Sequence, residues 1–324
     1  MGLNQLIYRV CRPLGGLAVA RYLTRRHPKI LMYHRIGAPG STSDITADIF
    51  RQQMEMIKRS FNAMTLNALV EANDRGSVPE NAVVVTFDDG YHDFADYAFP
   101  ILRELDIPAT LFVTTGFVDE DLWLWPDQIR YALENTSVYK VNLPGIAGPL
   151  DVIEEPEQCW HQIADHCMVI PNVQKMQLIE RLFQLLDVEK PKKAPHEYRP
   201  LAWRQVREMV AEGLDVGSHS HSHPILTQLS NSELKDELLS SRSILEKQLA
   251  CDVRAFCYPN GQKIDFNEKV QSHVREAGYE YAVAAFPSTA PLNDRWALNR
   301  YPVSSSSSAL EKTIFGLTYL NFNR

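Results

Sequence analysis

The chain has 324 residues, 45 % of them apolar and 23 % charged, with a formal net charge of −7. That balance excludes a largely disordered chain. Apolar runs of only a few residues exclude an integral membrane protein built on helices, which needs roughly 20 in a row. Length alone allows two domains of roughly 150 residues or one α/β barrel. Charge is unevenly spread: residues 1–43 hold seven Lys or Arg and no acid, which leaves −14 for the rest. An acidic body argues against nucleic acid as the partner, because phosphate binding needs a basic surface. The five cysteines (Cys11, Cys159, Cys167, Cys251 and Cys257) are odd in number, lack CxxC spacing and fit a reducing compartment.

In chain order, residues 3–23 place Leu3, Leu6, Ile7, Val10, Leu14 and Leu17 at helical spacing, with Arg9 and Arg12 interspersed and Pro13 to kink or restart the helix. Charges interrupt the apolar stretch and no small-residue cleavage site follows, which argues against a signal peptide. Residues 1–27 therefore read as a basic amphipathic segment. It packs on the body or frays, lies, through residues 1–26, on an anionic membrane surface, or serves as a transit-like leader. Strands are then predicted at Lys29–Tyr33, Ala82–Phe87, Ala109–Thr114, Leu214–Gly217, Val253–Tyr258 and Tyr281–Ala285. Helices are predicted at Ala47–Ser60, Phe94–Leu105, Trp203–Glu212, Ser232–Leu249 and Asn267–Ala277. Strands separated by helices of this length imply a parallel sheet or a β/α barrel. Residues 119–200 interrupt the alternation with a helical stretch around Val173–Leu186 and a basic, Pro-rich connector. We expect a mostly helical insertion there without a core of its own. The Ser304–Ser308 run reads as a loop within a C-terminal tail, 304–324.

Three segments place chemistry directly after a strand. Thr86-Phe87-Asp88-Asp89-Gly90 ends an apolar strand with two carboxylates, where α/β enzymes carry catalytic groups. Adjacent side chains diverge, so one Asp can bind a metal while its neighbour acts as a base. Alone this is a modest signal, since Asp-Asp-Gly turns are common on surfaces. Gly217-Ser218-His219-Ser220-His221-Ser222-His223-Pro224 is more specific. His219 and His223 stand four apart, so one helical turn would put both imidazoles on one side. Two His and one Asp make a three-ligand site with an open position, which describes a catalytic metal. Ala255-Phe256-Cys257-Tyr258-Pro259-Asn260-Gly261 ends in a turn whose backbone N–H groups could stabilise an oxyanion.

In order and combination, TFDDG, S-H-x-x-x-H-P and F-x-Y-P-x-G resemble the polysaccharide deacetylase family, the NodB-homology or carbohydrate esterase family 4 enzymes, over residues 29–303. The resemblance implies a distorted (β/α) barrel with a helical insertion at about 119–200 inside a catalytic domain, 28–303. It also implies metal-dependent removal of N- or O-acetyl groups from sugars, most readily the N-acetyl of an amino sugar. Asp88 matches the general base of a water activated on the metal, and Asp89, His219 and His223 match the metal ligands. Tyr258-Pro259-Asn260 matches the segment that contacts substrate and lends an N–H to the oxyanion. Zinc is the first choice for such ligands, with cobalt or nickel also suited. Two departures stand out. Cys257 occupies the position of the family's Arg that orients the base, and Leu298-Asn299-Arg300-Tyr301-Pro302 lacks the family's C-terminal His, its general acid. His34, after the first strand, is the replacement, because first and last strands are neighbours in a closed barrel. This resembles the poly-N-acetylglucosamine deacetylase branch; His92 and His221 are weaker candidates.

The expected substrate is an acetylated polysaccharide, oligosaccharide or lipid-linked saccharide of the cell envelope, and the expected location is the cytoplasm, peripheral on the inner membrane face. Trp123, Trp125, Trp160, Trp203 and Trp296 could stack on sugars, but core packing is the stronger expectation for most of them. The alternative is an inactive metal- or saccharide-binding protein of the same fold, which the two departures motivate. A glycosidase use of the Asp pair would leave the histidines without a task.

Overall fold

The computed structural model describes residues 8, 12–41, 43–288 and 290–318. Its strands are β1 (Lys29–Tyr33), β2 (Asn62–Ala63), β3 (Ala82–Phe87), β4 (Ala109–Val113), β5 (Lys140–Val141), β6 (Leu150–Asp151), β7 (Asp215–Ser218), β8 (Ala255–Cys257), β9 (Tyr281–Ala284), β10 (Leu298–Asn299) and β11 (Tyr301–Pro302). Eight of them form a nearly closed parallel barrel in the order β10-β9-β8-β7-β4-β3-β1-β11, with β2 paired beside the start of β3. The β-branched and aromatic runs KILMY, AVVVTF and ATLFV are buried at every position. That is what parallel strands covered on both faces require. Helices Ala47–Ser60, Trp203–Ala211, Asn231–Leu249 and Glu268–Glu276 lie within about one residue of their predicted bounds. Ser230 and Glu233 form a reciprocal capping box at the start of the third.

The pair β10 and β11 was not foreseen as strand, and it closes the barrel. Leu298 and Asn299 pair with β9, whereas Tyr301 and Pro302 pair with Leu31 and Met32 of β1. Arg300 is the residue between these pairings. First and last strands are therefore neighbours, as the barrel reading expected.

The insertion departs from expectation in one respect: it has a core. Helices Trp125–Glu134, Pro156–Val169 and Asn172–Leu185, with the antiparallel β5–β6 pair, enclose an apolar cluster distinct from that of the barrel. Trp123 and Trp125 are buried in that cluster at 3 % and 5 % exposure, so neither offers a free face to a sugar. The indole of Trp160 donates to the Pro126 carbonyl at 3.1 Å, and Arg275 covers Trp296 at 5.3 Å. Of the C-terminal segment, residues 304–318 are described and pack on the barrel. Ser306 caps a helix, Ser307–Ile314, whose Leu310 and Ile314 join the barrel's core cluster.

Of the basic leader, Leu3, Leu6, Ile7, Arg9, Val10 and Cys11 lie outside the described residues. The described part is anchored at its start: Tyr8 and Arg12 donate to Glu311 at 2.6 and 2.8 Å. A helix follows at Gly16–Leu23, with Ala20 buried and Leu14, Val19, Tyr22 and Leu23 between 57 and 79 % exposed. No helix among the described residues is long and apolar enough to cross a membrane.

Candidate active site

Every motif residue lies just beyond a strand's C-terminal end, so the barrel gathers at one mouth what the sequence spreads from His34 to Arg300. Beyond β3 the chain turns sharply. The Gly90 N–H donates to the Asp88 carbonyl at 2.9 Å, with Asp89 between them at φ 75°. The turn beyond β8 repeats this arrangement: the Gly261 N–H donates to the Pro259 carbonyl at 2.7 Å, around Asn260 at φ 56°. Both are γ-turns with a left-handed central residue, a conformation that Asp and Asn tolerate better than other side chains. They throw the Asp89 carboxylate and the Asn260 backbone toward the mouth.

His219 and His223 meet, though no helix brings them together. β7 ends at Ser218, and the following turn has Ser220 and His223 in the left-handed region at φ 64° and 54°. Neighbouring backbone clamps this turn. Thr115 and Gly116 donate to the carbonyls of Ser220 and His221 at 3.2 and 2.9 Å, and Glu237 accepts from the N–H groups of His221 and Ser222 at 2.9 Å each. The two imidazoles stand 4.8 Å apart, centroid to centroid, at 77°. His221 faces the other way, its Nδ1 2.9 Å from the Thr115 hydroxyl, while His92 pairs with Asp96 at 2.9 Å on the barrel flank.

The Nε2 atoms of His219 and His223 lie 3.5 and 3.6 Å from Asp89 Oδ1. All three side chains are buried, and Asp89 Oδ1 has no hydrogen-bond partner. An isolated buried carboxylate oxygen is costly. Burial, and then the neighbouring charge of Asp88, push the Asp89 carboxyl well above the usual carboxylate range. The Cys257 carbonyl sits 2.9 Å from His219 Nδ1, which fixes that nitrogen as the donor and leaves the Nε2 lone pair facing the cluster. Burial lowers the His219 pKa to about 4, keeping the ring neutral. Two neutral imidazole nitrogens and one carboxylate oxygen within 4.8 Å of one another suit a divalent transition ion.

Asp88 is the opposite case. Its oxygens accept from Arg300 Nη1 and Nη2 at 2.7 and 2.8 Å, a bidentate pair with both partners almost fully buried. Burial alone would raise this carboxyl, but the Arg300 charge and hydrogen bonds outweigh it and hold Asp88 well below the carboxylate range. Arg300 also donates to Thr86 Oγ1 at 3.0 Å, to the Ala284 carbonyl at 3.2 Å and to Cys257 Sγ at 3.0 Å. Its guanidinium lies 5.5 Å from the Phe112 ring, which occupies the space where a Cβ on Gly217 would come within 2.5 Å of it. The arginine missing at position 257 is thus supplied from the barrel-closing segment. Sequence reasoning passed over it while seeking a histidine there; the available signal was an arginine in the segment expected to close the barrel, between Leu298-Asn299 and Tyr301-Pro302.

His34, half exposed, places Nε2 at 3.9 Å from Asp88 Oδ2. Asn260 is at the mouth, and its N–H donates to no group among the described residues. Its buried Nδ2 likewise has no partner. Tyr258 is different: its side chain is turned into the core, stacked on Phe266 at 4.2 Å, and its hydroxyl donates to the Trp296 carbonyl at 2.8 Å. A substrate role for the Tyr258 side chain is therefore corrected to a packing role, because strand alternation points it inward with Phe256. Pro259 has no N–H and serves to shape the turn.

The family model for Polysaccharide deacetylase matches residues 75–282. The chain is 31 % identical over 75 residues to the poly-beta-1,6-N-acetyl-D-glucosamine N-deacetylase of Staphylococcus epidermidis, over 23 % of this chain and 26 % of that one. It is 33 % identical over 95 residues to the protein of the same name from Staphylococcus aureus, over 29 % and 32 %. The aligned stretches thus span less than a third of these relatives. Among solved structures, Streptococcus pyogenes deacetylase PplD in complex with acetate superposes with a TM-score of 0.58 at 21 % identity, covering 90 % of this chain and 96 % of that one. IcaB from Ammonifex degensii gives 0.58 at 20 %, covering 89 % and 97 %. These two likenesses concern the fold. With the family match across the segments that carry Asp88, Asp89, His219, His223 and Asn260, the chain belongs to the polysaccharide deacetylase family.

Proposed function

We propose that the protein is a divalent-metal-dependent deacetylase that removes N-acetyl groups from an N-acetylglucosamine polymer, oligomer or lipid-linked saccharide. The observation that carries this reading is the unpartnered buried Asp89 oxygen facing two imidazole nitrogens, beside an Asp88 held ionised by Arg300. The names of the staphylococcal relatives support the choice of sugar. A divalent ion held by Asp89, His219 and His223, with zinc the first choice and cobalt or nickel suited, supplies a Lewis acid for the acetyl carbonyl and acidifies water.

The chain's own residues supply the proton transfers. Asp88 accepts the proton of the attacking water, its geometry fixed by the two Arg300 hydrogen bonds. His34, 3.9 Å from Asp88, delivers a proton to the amide nitrogen, a poor leaving group until protonated. The unpaired Asn260 N–H and Nδ2 donate to the carbonyl oxygen as it gains charge. Acetate and a free amino sugar leave, and the proton held by Asp88 passes to His34, which restores both groups.

Incubation with poly-N-acetylglucosamine oligomers and a panel of acetylated glycans, with Zn²⁺, Co²⁺ or Ni²⁺, tests the reading by mass spectrometry. Products lighter by acetyl groups are expected, and no release with any metal contradicts it. The competing reading, a saccharide-binding protein without turnover, is favoured by the absent C-terminal histidine. It predicts glycan binding with unchanged masses.

The leader supports peripheral attachment to an anionic membrane as a further part of the proposal. Four large apolar side chains are exposed within ten residues, in a segment that holds no acid.

A further inference from the structure

Among the contacts between the insertion and the barrel is one to the segment that carries Asp89, made by a side chain that the chemistry above leaves without a task. Asp127 lies in the first turn of the helix Trp125–Glu134, where a carboxylate favours the helix N-terminus. That ordinary role does not account for its contacts. Its Oδ2 accepts from the hydroxyl of Tyr91 at 2.6 Å, and Tyr91 stands two residues beyond Asp89. The hydrogen bond therefore ties the insertion to the turn that carries the metal-site carboxylate. Asp127 is half-buried, and Oδ1 accepts no hydrogen bond among the described residues. Across the Tyr91 ring, at 4.7 Å, lies the guanidinium of Arg35, the residue after His34, paired with Asp93 at 2.8 Å.

We infer that Asp127 accepts hydrogen bonds from hydroxyl groups of the sugar that carries the acetyl group, so that the insertion sets the enzyme's preference for a saccharide over a bare acetyl compound. The inference rests on the deacetylase reading and adds its specificity. The chemistry is that of an ionisable acceptor with one oxygen positioned by Tyr91, two residues along the chain from Asp89, and the other accepting from no group among the described residues. A pyranose ring offers several donors there and a simple acetyl ester offers none. A charged acceptor lost against a sugar hydroxyl typically costs about ten- to a hundredfold in affinity for the transition state.

The test compares two substrates on the metal-loaded full chain: an N-acetylglucosamine oligomer and 4-methylumbelliferyl acetate. Asp127→Asn is expected to lose about ten- to a hundredfold in kcat/KM on the oligomer while ester hydrolysis stays within about twofold and metal content is unchanged. Tyr91→Phe, which frees Asp127 to turn, is expected to show a smaller loss of the same selective kind. Equal losses on both substrates, or no loss on either, overturn the inference. A wild-type chain that hydrolyses the ester but no acetylated saccharide overturns the deacetylase reading first and this inference with it. An active wild type with an unaffected Asp127→Asn overturns this inference alone.

Discussion

Asp88 and Asp89 are consecutive, equally buried and held by the same turn, yet the protein surrounds them in opposite ways. On the Asp88 side a buried guanidinium meets both oxygens, so the negative charge is balanced within the chain. On the Asp89 side one oxygen has no partner, and the nearest groups are two imidazoles held neutral by burial. The first surroundings make an ionised base. The second leave a carboxylate oxygen and two imidazole nitrogens in an arrangement that suits a divalent cation. Two carboxylates of one type are therefore given opposite electrostatic surroundings by their neighbours alone, the pattern by which enzymes separate the roles of paired carboxylates.

The largest effect is expected on the metal side. His219→Ala or His223→Ala removes one of the three proposed ligands, and both bound divalent metal and deacetylation should fall to background, read by elemental analysis and acetate release. Metal retained at full stoichiometry in either variant would break the contrast. On the base side, His34→Ala should lower kcat by about 10²–10⁴-fold, as expected for a lost general acid, with metal retained. An unchanged kcat removes His34 from the proton transfer.

Arg300→Met sharpens the comparison through stability. It leaves Asp88 buried without a counter-charge, which typically costs about 3–5 kcal/mol, and denaturant unfolding should report a loss in that range. Arg300→Lys keeps the charge but loses the two-pronged geometry, so it should recover much of the stability and less of the activity. Equal stability in the Met variant and wild type would show that Asp88 does not depend on this partner.

The smallest effect on catalysis is expected at the leader. Replacing Leu14, Val19 and Leu23 together by Ser should weaken sedimentation with phosphatidylglycerol vesicles and leave turnover of a soluble oligomer unchanged. Equal sedimentation with and without these side chains removes the membrane proposal. Point substitutions suit this test better than removal of residues 1–26, because Ala20 and Thr24 are buried and Thr24 receives the Lys29 ammonium at 3.0 Å.

What could be read from the sequence divides along the same line. The clustering of Asp89, His219 and His223 was legible because its signal is local: Asp89 stands in TFDDG and both histidines fall within five residues, each segment after a strand of evident apolar character. Even there the spacing suggested a helical turn, whereas two left-handed residues do the work. The support of the base side was not legible. Arg300 lies 212 residues from Asp88, and only the closing of the barrel by β10 and β11 brings them together. Those strands are two residues each, too short to leave an alternating pattern. The Tyr91–Asp127 contact was hidden for a related reason, since it depends on how an insertion with its own core packs on the barrel. Tyr258 misled because a motif position does not say which way a side chain faces.

The most direct test of the division between the two carboxylates is metal content and acetate release measured side by side in Asp88→Asn and Asp89→Asn. The account predicts full metal with turnover reduced by about 10²–10⁴-fold in the first, and loss of both in the second. Metal lost from Asp88→Asn, or kept in Asp89→Asn, would contradict it.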